Sequence, residues 1–187
     1  ADVSANAGNK PYNIENVSPD AHLAPSVGDS SSKTSSKAWH KIDGVCYNGS
    51  GKKVEGAITR GMDVSEWQGK INWKEAKKDL DFAFVRISYG TRHLDDYYDY
   101  NMTEAEAADV PVGTYVYSLA KTNKEALAEA QLAIRQMQGH KVSYPVAFDL
   151  EDEATLGTLT RKEISQIALT FCDEIRKAGY TPILYMN

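Results

Sequence analysis

From Arg60 onward the chain alternates between two hydrophobic periods, and that alternation restricts its fold more than any other feature. GMDVSEW, FAFVRISYG (82–90), VPVGTYVYSLA (110–120), VAFDLE and PILYMN (182–187) are short and rich in β-branched and aromatic residues, so they read as strands. Between them lie four segments of helical character. NWKEAKKDL opens with Asn72 and Glu75 in N-cap and N3 positions, and YYDYNMTEAEAAD follows the second strand. Thr122 with Glu125 and Thr160 with Glu163 then start two longer helices. Leu127, Ala130, Ile134 and Met137 share one face of the third helix, which Gly139 stops; the fourth runs to Ala178 with Gly179 as its cap. Parallel strands need a crossover and helices supply it, so this order predicts a parallel α/β sheet.

Polar residues gather where successive strands end: Asp63, then Ser88 and Tyr89, Tyr117 and Ser118, Asp149 and Glu151, and Tyr185 and Asn187. That placement favours a TIM-like (β/α) barrel, whose C-terminal strand ends carry the chemistry. The expected organisation has three parts. Residues 1–37, with the run SVGDSSSKTSSK, are too poor in apolar groups to offset the entropy of ordering and read as a flexible tail or linker. Residues 38–59 read as a β-hairpin lead-in, with IDGVCY and KKVEGAI flanking Asn48-Gly49-Ser50-Gly51. Residues 60–187 form the main domain, with five strands of the barrel.

The fourth strand leads into DLEDE, four carboxylates in five positions. On a strand, Asp149 and Glu151 point to one face with Cα atoms about 6.6 Å apart, at roughly 3.3 Å per residue. Two carboxyls that close, one of them inside a sheet end, do not both ionise easily, and one keeps a proton for general acid work. Paired acids of this kind hydrolyse glycosidic bonds. Asp152 and Glu153 fit an N-cap or a surface loop instead. A divalent metal is the weaker reading of the acids, because no His or spaced Asp-x-Asp loop completes a coordination shell. No metal and no cofactor is expected.

Eleven tyrosines and three tryptophans make the chain rich in amphipathic rings, and Trp67, Tyr89, Tyr115, Tyr117 and Tyr185 fall near the strand ends. Such rings stack on sugar faces and leave their polar tips for hydroxyls. Trp73 reads as core, and His93 is the one histidine near that face. Cys172 lies beside Ile164, Ala168, Phe171 and Ile175 at helical spacing and reads as a buried thiol. A net charge of −5 gives no basic footprint for nucleic acid. No run of about 18 apolar residues is present to insert in a membrane. The opening ADVSANA is like a chain already trimmed after a secretion signal, which places it outside the cell or at the wall.

GMDVSEWQGKINW, DFAFVRISYG, VPVGTYVYS, YPVAFDLED and AGYTPILYMN, in that order, resemble glycoside hydrolase family 25, the lysozymes (N-acetylmuramidases) of bacteria, phages and some fungi. The resemblance spans residues 60–187. It implies an eight-stranded barrel and cleavage of the β-1,4 bond between N-acetylmuramic acid and N-acetylglucosamine in peptidoglycan. It also implies that Glu151 is the proton donor, that Asp149 and Asp63 are the further acids, and that Tyr117 lines the sugar site. Tyr89, Trp67, Tyr185 and Asn187 are expected to bind substrate. The short D-x-E spacing suits substrate assistance, with Asp149 polarising the 2-acetamido group while Glu151 protonates the leaving oxygen. Five parallel strands do not close a barrel, so the fifth strand is expected to leave an edge open to self-association. With the domain expected to lack its C-terminal part, the competing reading is a non-catalytic peptidoglycan-binding module or an inactive fragment of such an enzyme.

Overall fold

The computed structural model describes residues 39–186. The Ser-rich stretch 1–37 and Asn187 lie outside the described residues. Two short strands come first, β1 (His40–Ile42) and β2 (Val45–Tyr47), paired antiparallel. Their turn is Asp43-Gly44 rather than the expected Asn48–Gly51 segment, with both central residues at positive φ (48° and 79°). Aspartate followed by glycine suits the two-residue turn whose twist matches the strands. The Asn48 turn also forms, and it folds the chain back so that Tyr47 bridges Lys53.

The main sheet is built from β3 (Gly61–Val64), β4 (Phe82–Tyr89), β5 (His93–Leu94), β6 (Val112–Tyr117), β7 (Val142–Leu150) and β8 (Pro182–Met186). Its order is β3-β4-β6-β7-β8, all parallel, while β5 pairs antiparallel with the end of β4. The helices are α1 (Trp73–Ala76), α2 (Tyr98–Ala107), α3 (Asn123–Met137), α4 (Glu153–Leu156) and α5 (Arg161–Lys177). The architecture is therefore α/β, a parallel sheet with crossover helices, and among the described residues the sheet is open, with β3 and β8 at its ends. The first helix is a single turn rather than the full NWKEAKKDL segment. The last helix has both bonds of its capping box, Thr160 accepting from the Glu163 amide and Glu163 accepting from the Thr160 amide.

The two sheet faces differ. Val64, Val85, Ile87, Val116, Val146, Phe148 and Leu150 join the buried apolar cluster with Ala130, Ala133, Met137, Ile167, Phe171 and Ile175 of α3 and α5. Phe148 and Phe171 stack at 4.0 Å. Cys172 and Trp73 are buried, as the sequence implied. The opposite face carries Phe84, Arg86, Tyr115, Tyr117, Asp149 and Tyr185, because residues in register across parallel strands, and every second residue along them, share a face. Its lower end is closed by rings: Tyr144 stacks on Phe82 at 4.8 Å and meets Phe84 edge-on. Gly113 makes room for this, since a Cβ there would sit 2.6 Å from the Pro145 carbonyl and 2.7 Å from the Phe84 ring. Pro145 itself falls in the register shift of β7, ahead of the β8 ladder that starts at Val146, where its missing N–H is tolerated.

Candidate active site

The upper end of that second face collects the acids. In-register pairing puts Asp149 between Tyr117 of β6 and Tyr185 of β8. Asp149 is 7% exposed, and its Oδ1 has no hydrogen-bond partner among the described residues. Burial, then the charges of Glu151 and Asp63, push its carboxyl up from 3.8 to about 7, and Arg86 opposes them only in part. A carboxyl at about 7 is near half-protonated at neutral pH. The two other expected acids lie close enough to act on it. Asp63 is exposed on β3, and Glu151, half-buried, comes one residue beyond the end of β7 rather than on the strand. The chain turns there because Asp152 caps α4, its side chain accepting from the Thr155 amide at 2.7 Å.

Tyr117 and Tyr89 stack at 4.8 Å with an interplanar angle of 19°, a two-ring platform beside the acids. Burial, followed by Asp152 and Glu151, raises the Tyr117 hydroxyl to about 12, so it stays a neutral donor. Tyr115 is half-buried below it and is also raised, by burial first and then by Asp63. Tyr185 is half-buried in register with Asp149. Trp67 stands apart on the short helix Glu66–Gln68 and is 77% exposed. Asn187 lies outside the described residues.

Sequence reasoning missed the polar group that braces this rim. Arg86 is buried on β4, donates from Nε to Asp95 at 2.9 Å, and places Nη2 2.9 Å from Glu66 as a slanted ion pair. Asp95, also buried, accepts from the amides of Glu66 (2.8 Å) and Tyr97 (3.0 Å). His93 reaches Glu66 at 2.8 Å. Burial tends to raise the Glu66 carboxyl, but the His93 bond, the Asp96 amide and Arg86 outweigh it and hold the group below its ordinary value. An arginine inside an otherwise apolar strand, FAFVRIS, was the available signal: a buried guanidinium requires carboxylates nearby. Among the described residues no group of three His, Cys, Asp or Glu side chains is arranged to hold a metal, and no helix is long and apolar enough to cross a membrane.

Residues 62–187 match the family described as Glycosyl hydrolases family 25. The chain belongs to that family. Relatives include the uncharacterized Escherichia coli K12 protein YegX, 26% identical over 132 residues, which cover 67% of this chain and 47% of YegX. Lysozyme M1 of Streptomyces globisporus is 38% identical over 60 residues, 32% of this chain and 20% of the lysozyme. Among solved structures, the modular autolysin LytC from Streptococcus pneumoniae superposes with a TM-score of 0.66 at 25% identity over 79% of this chain and 37% of LytC, and it has also been solved with a synthetic peptidoglycan ligand. The chain thus spans about half the length of YegX and little more than a third of LytC.

Proposed function

We propose that this family 25 chain carries the acid site of a lysozyme, an N-acetylmuramidase that cleaves the β-1,4 bond between N-acetylmuramic acid and N-acetylglucosamine in peptidoglycan. The observation that carries the reading is Asp149: a nearly buried carboxyl at a strand end, biased toward its protonated form by burial and by Glu151 and Asp63. A module that only bound glycan would gain nothing from a cluster of mutually repelling acids. The platform of Tyr89 and Tyr117 supports a sugar as the ligand, and the family and the LytC relative point to the cell wall as its source.

In this reading the proton that the Asp149–Glu151 pair holds passes, once the sugar is bound, through Glu151, the more accessible acid, to the leaving glycosidic oxygen as the C1–O bond breaks, which leaves Asp149 ionised. The carbonyl oxygen of the 2-acetamido group bonds to C1 while Asp149, as carboxylate, accepts the hydrogen bond of the acetamide N–H. Water then attacks C1, losing a proton to the Glu151 carboxylate, and the C1–acetamide bond reopens. Asp63 adds negative charge that favours a cationic C1. Tyr117, Tyr89 and Tyr185 contact the bound glycan in this reading, and Trp67 and Asn187 are kept as expected substrate-binding residues. The proposed catalytic domain starts at residue 60 and works outside the cell, at the wall. Barrel closure belongs to the same reading, with further strands pairing at β8 and β3; a second copy pairing at β8 would instead give a dimer in sedimentation.

The test is to incubate the purified chain with clean peptidoglycan, follow new reducing ends and identify products by mass, with Glu151→Gln and Asp149→Asn in parallel. Muramic acid reducing ends that vanish in both variants support the proposal. Glycan binding without release, unchanged by Glu151→Gln, would replace it with a wall-binding module. A trapped covalent sugar ester on Asp149 would overturn substrate assistance.

A further inference from the structure

We infer that Glu129, on the helix layer behind the sheet, is a positioning residue for the acid site. The inference rests on the hydrolase reading above. Glu129 is 2% exposed on α3, in the stripe of Ala126, Ala130, Ala133 and Met137 that packs on the sheet. A leucine or methionine would fill this place without the cost of burying a carboxyl. What the carboxyl adds is two accepted hydrogen bonds, from the Ser118 hydroxyl at 2.7 Å and the Leu119 amide at 3.0 Å. Both donors lie just past β6, where the strand ladder has ended and the backbone has no regular partner. The Ser118 oxygen in turn accepts from the Ala120 amide at 3.1 Å.

That clamped segment touches the site in three ways. The Ser118 amide donates to the backbone carbonyl of Asp149 at 2.9 Å, so the acid's own main chain hangs on it. Tyr117 is the preceding residue, and its carbonyl accepts from the Gly90 amide at 2.8 Å. Leu119 lies over Gly90, whose φ is +61° and where a Cβ would meet the Leu119 side chain at 3.2 Å. Gly90 follows Tyr89, so one carboxyl on α3 fixes the backbone under Asp149 and under both stacked tyrosines. Burial raises the Glu129 carboxyl to about 7 against the pull of the Ser118 and Leu119 bonds, which fits a group whose value lies in its geometry rather than its charge.

The experiment compares Glu129→Ala, Glu129→Gln, Ser118→Ala and the double Glu129→Ala/Ser118→Ala variant with the parent chain, in reducing-end release and in amide hydrogen exchange. Glu129→Ala is expected to lower kcat per folded molecule about tenfold with KM within about twofold, since loss of support misplaces groups that act by orientation. Glu129→Gln keeps one acceptor and is expected to recover to within about threefold of the parent. The double variant is expected to be no worse than Glu129→Ala, because the two residues act as one unit. Losses that multiply, or an unchanged kcat in both Glu129 variants, overturn the inference. Should Glu129→Ala not fold, Ser118→Ala takes its place: a kcat lowered at least threefold supports the clamp, and an unchanged kcat overturns it. If the parent chain releases no reducing ends, the hydrolase reading fails, but exchange still decides this one. Exchange at the Ser118 and Leu119 amides at least tenfold faster in the clamp-deleting variant (Glu129→Ala or, where that does not fold, Ser118→Ala) than in the parent, with a shifted Asp149 carboxyl titration, supports the clamp; neither change refutes it.

Discussion

Replacing Asp149 with Asn should stabilise the folded chain more at pH 8 than at pH 5. The folded carboxyl titrates near 7, against an ordinary 3.8. Between those values the folded state holds a proton that the unfolded state has released, so stability falls as pH rises through the window and levels off above about 7. At about 1.4 kcal/mol per tenfold change in proton affinity, ionising Asp149 in place costs about 4 kcal/mol over the whole window, of which about 3 kcal/mol falls between pH 5 and 7; relaxation and entry of water bring the expected difference between pH 5 and pH 8 to about 1–3 kcal/mol. An Asn amide brings its own imperfect hydrogen bonding, but that penalty is the same at both pH values. Urea denaturation of both chains at pH 5 and pH 8 therefore isolates the charge as a difference of differences. Glu129 titrates in the same window in both chains and cancels unless the two acids couple. Equal effects of the substitution at the two pH values would refute the burial argument, and a larger loss at pH 8 would mean that the ionised form is the one the fold prefers.

Three further outcomes follow from the packing. Gly113→Ala forces a Cβ against the Pro145 carbonyl and the Phe84 ring, and should lower stability by about 1–3 kcal/mol in the same denaturation assay. Phe171→Ala removes the ring stacked on Phe148 and should cost about 3–5 kcal/mol. Asp95→Ala strips the buried Arg86 of its best partner and should cost about 3–5 kcal/mol, with the largest gain in amide exchange at Glu66 and Tyr97, whose N–H groups Asp95 accepts.

The strand-and-helix order was legible because each element states its period locally. FAFVRISY and PILYM carry the β-branched and aromatic residues of buried parallel strands, and Thr160 with Glu163 marks a helix start without any tertiary information. Asp149 was legible for the same reason: a polar residue at the end of an apolar run has few places to go but the sheet rim. Three things were not. The turn at Asp43-Gly44 was overlooked in favour of the glycine-rich segment after it, though aspartate-glycine between short apolar stretches is a strong local signal. Glu129 was not singled out, because a glutamate on a helix carries no local sign of burial. It faces inward because Ala126, Ala130 and Ala133 define the packed stripe and because Ser118 and Leu119, distant in sequence, need an acceptor there. Arg86 likewise depends on Asp95 and Glu66, partners that only the folded chain brings to it.

Arg86 also explains why the acid site keeps a proton at all. It is the cation that lowers the Asp149 carboxyl, yet its guanidinium is already engaged by Asp95 and Glu66. Had Asp95 been apolar, the guanidinium would turn its full charge toward Asp149 and draw the carboxyl back toward its ordinary value. Asp149 would then lose the proton it holds near neutral pH. By tying Arg86 to the loop acids, the fold braces the Glu66–Gln68 turn that presents Trp67 and leaves Asp149 only partly neutralised. In the proposed hydrolase, a neutral sugar polymer would offer Asp149 no counter-charge until positive character develops at the carbon being cleaved, so the attraction would grow as the bond breaks, which is where an enzyme gains rate.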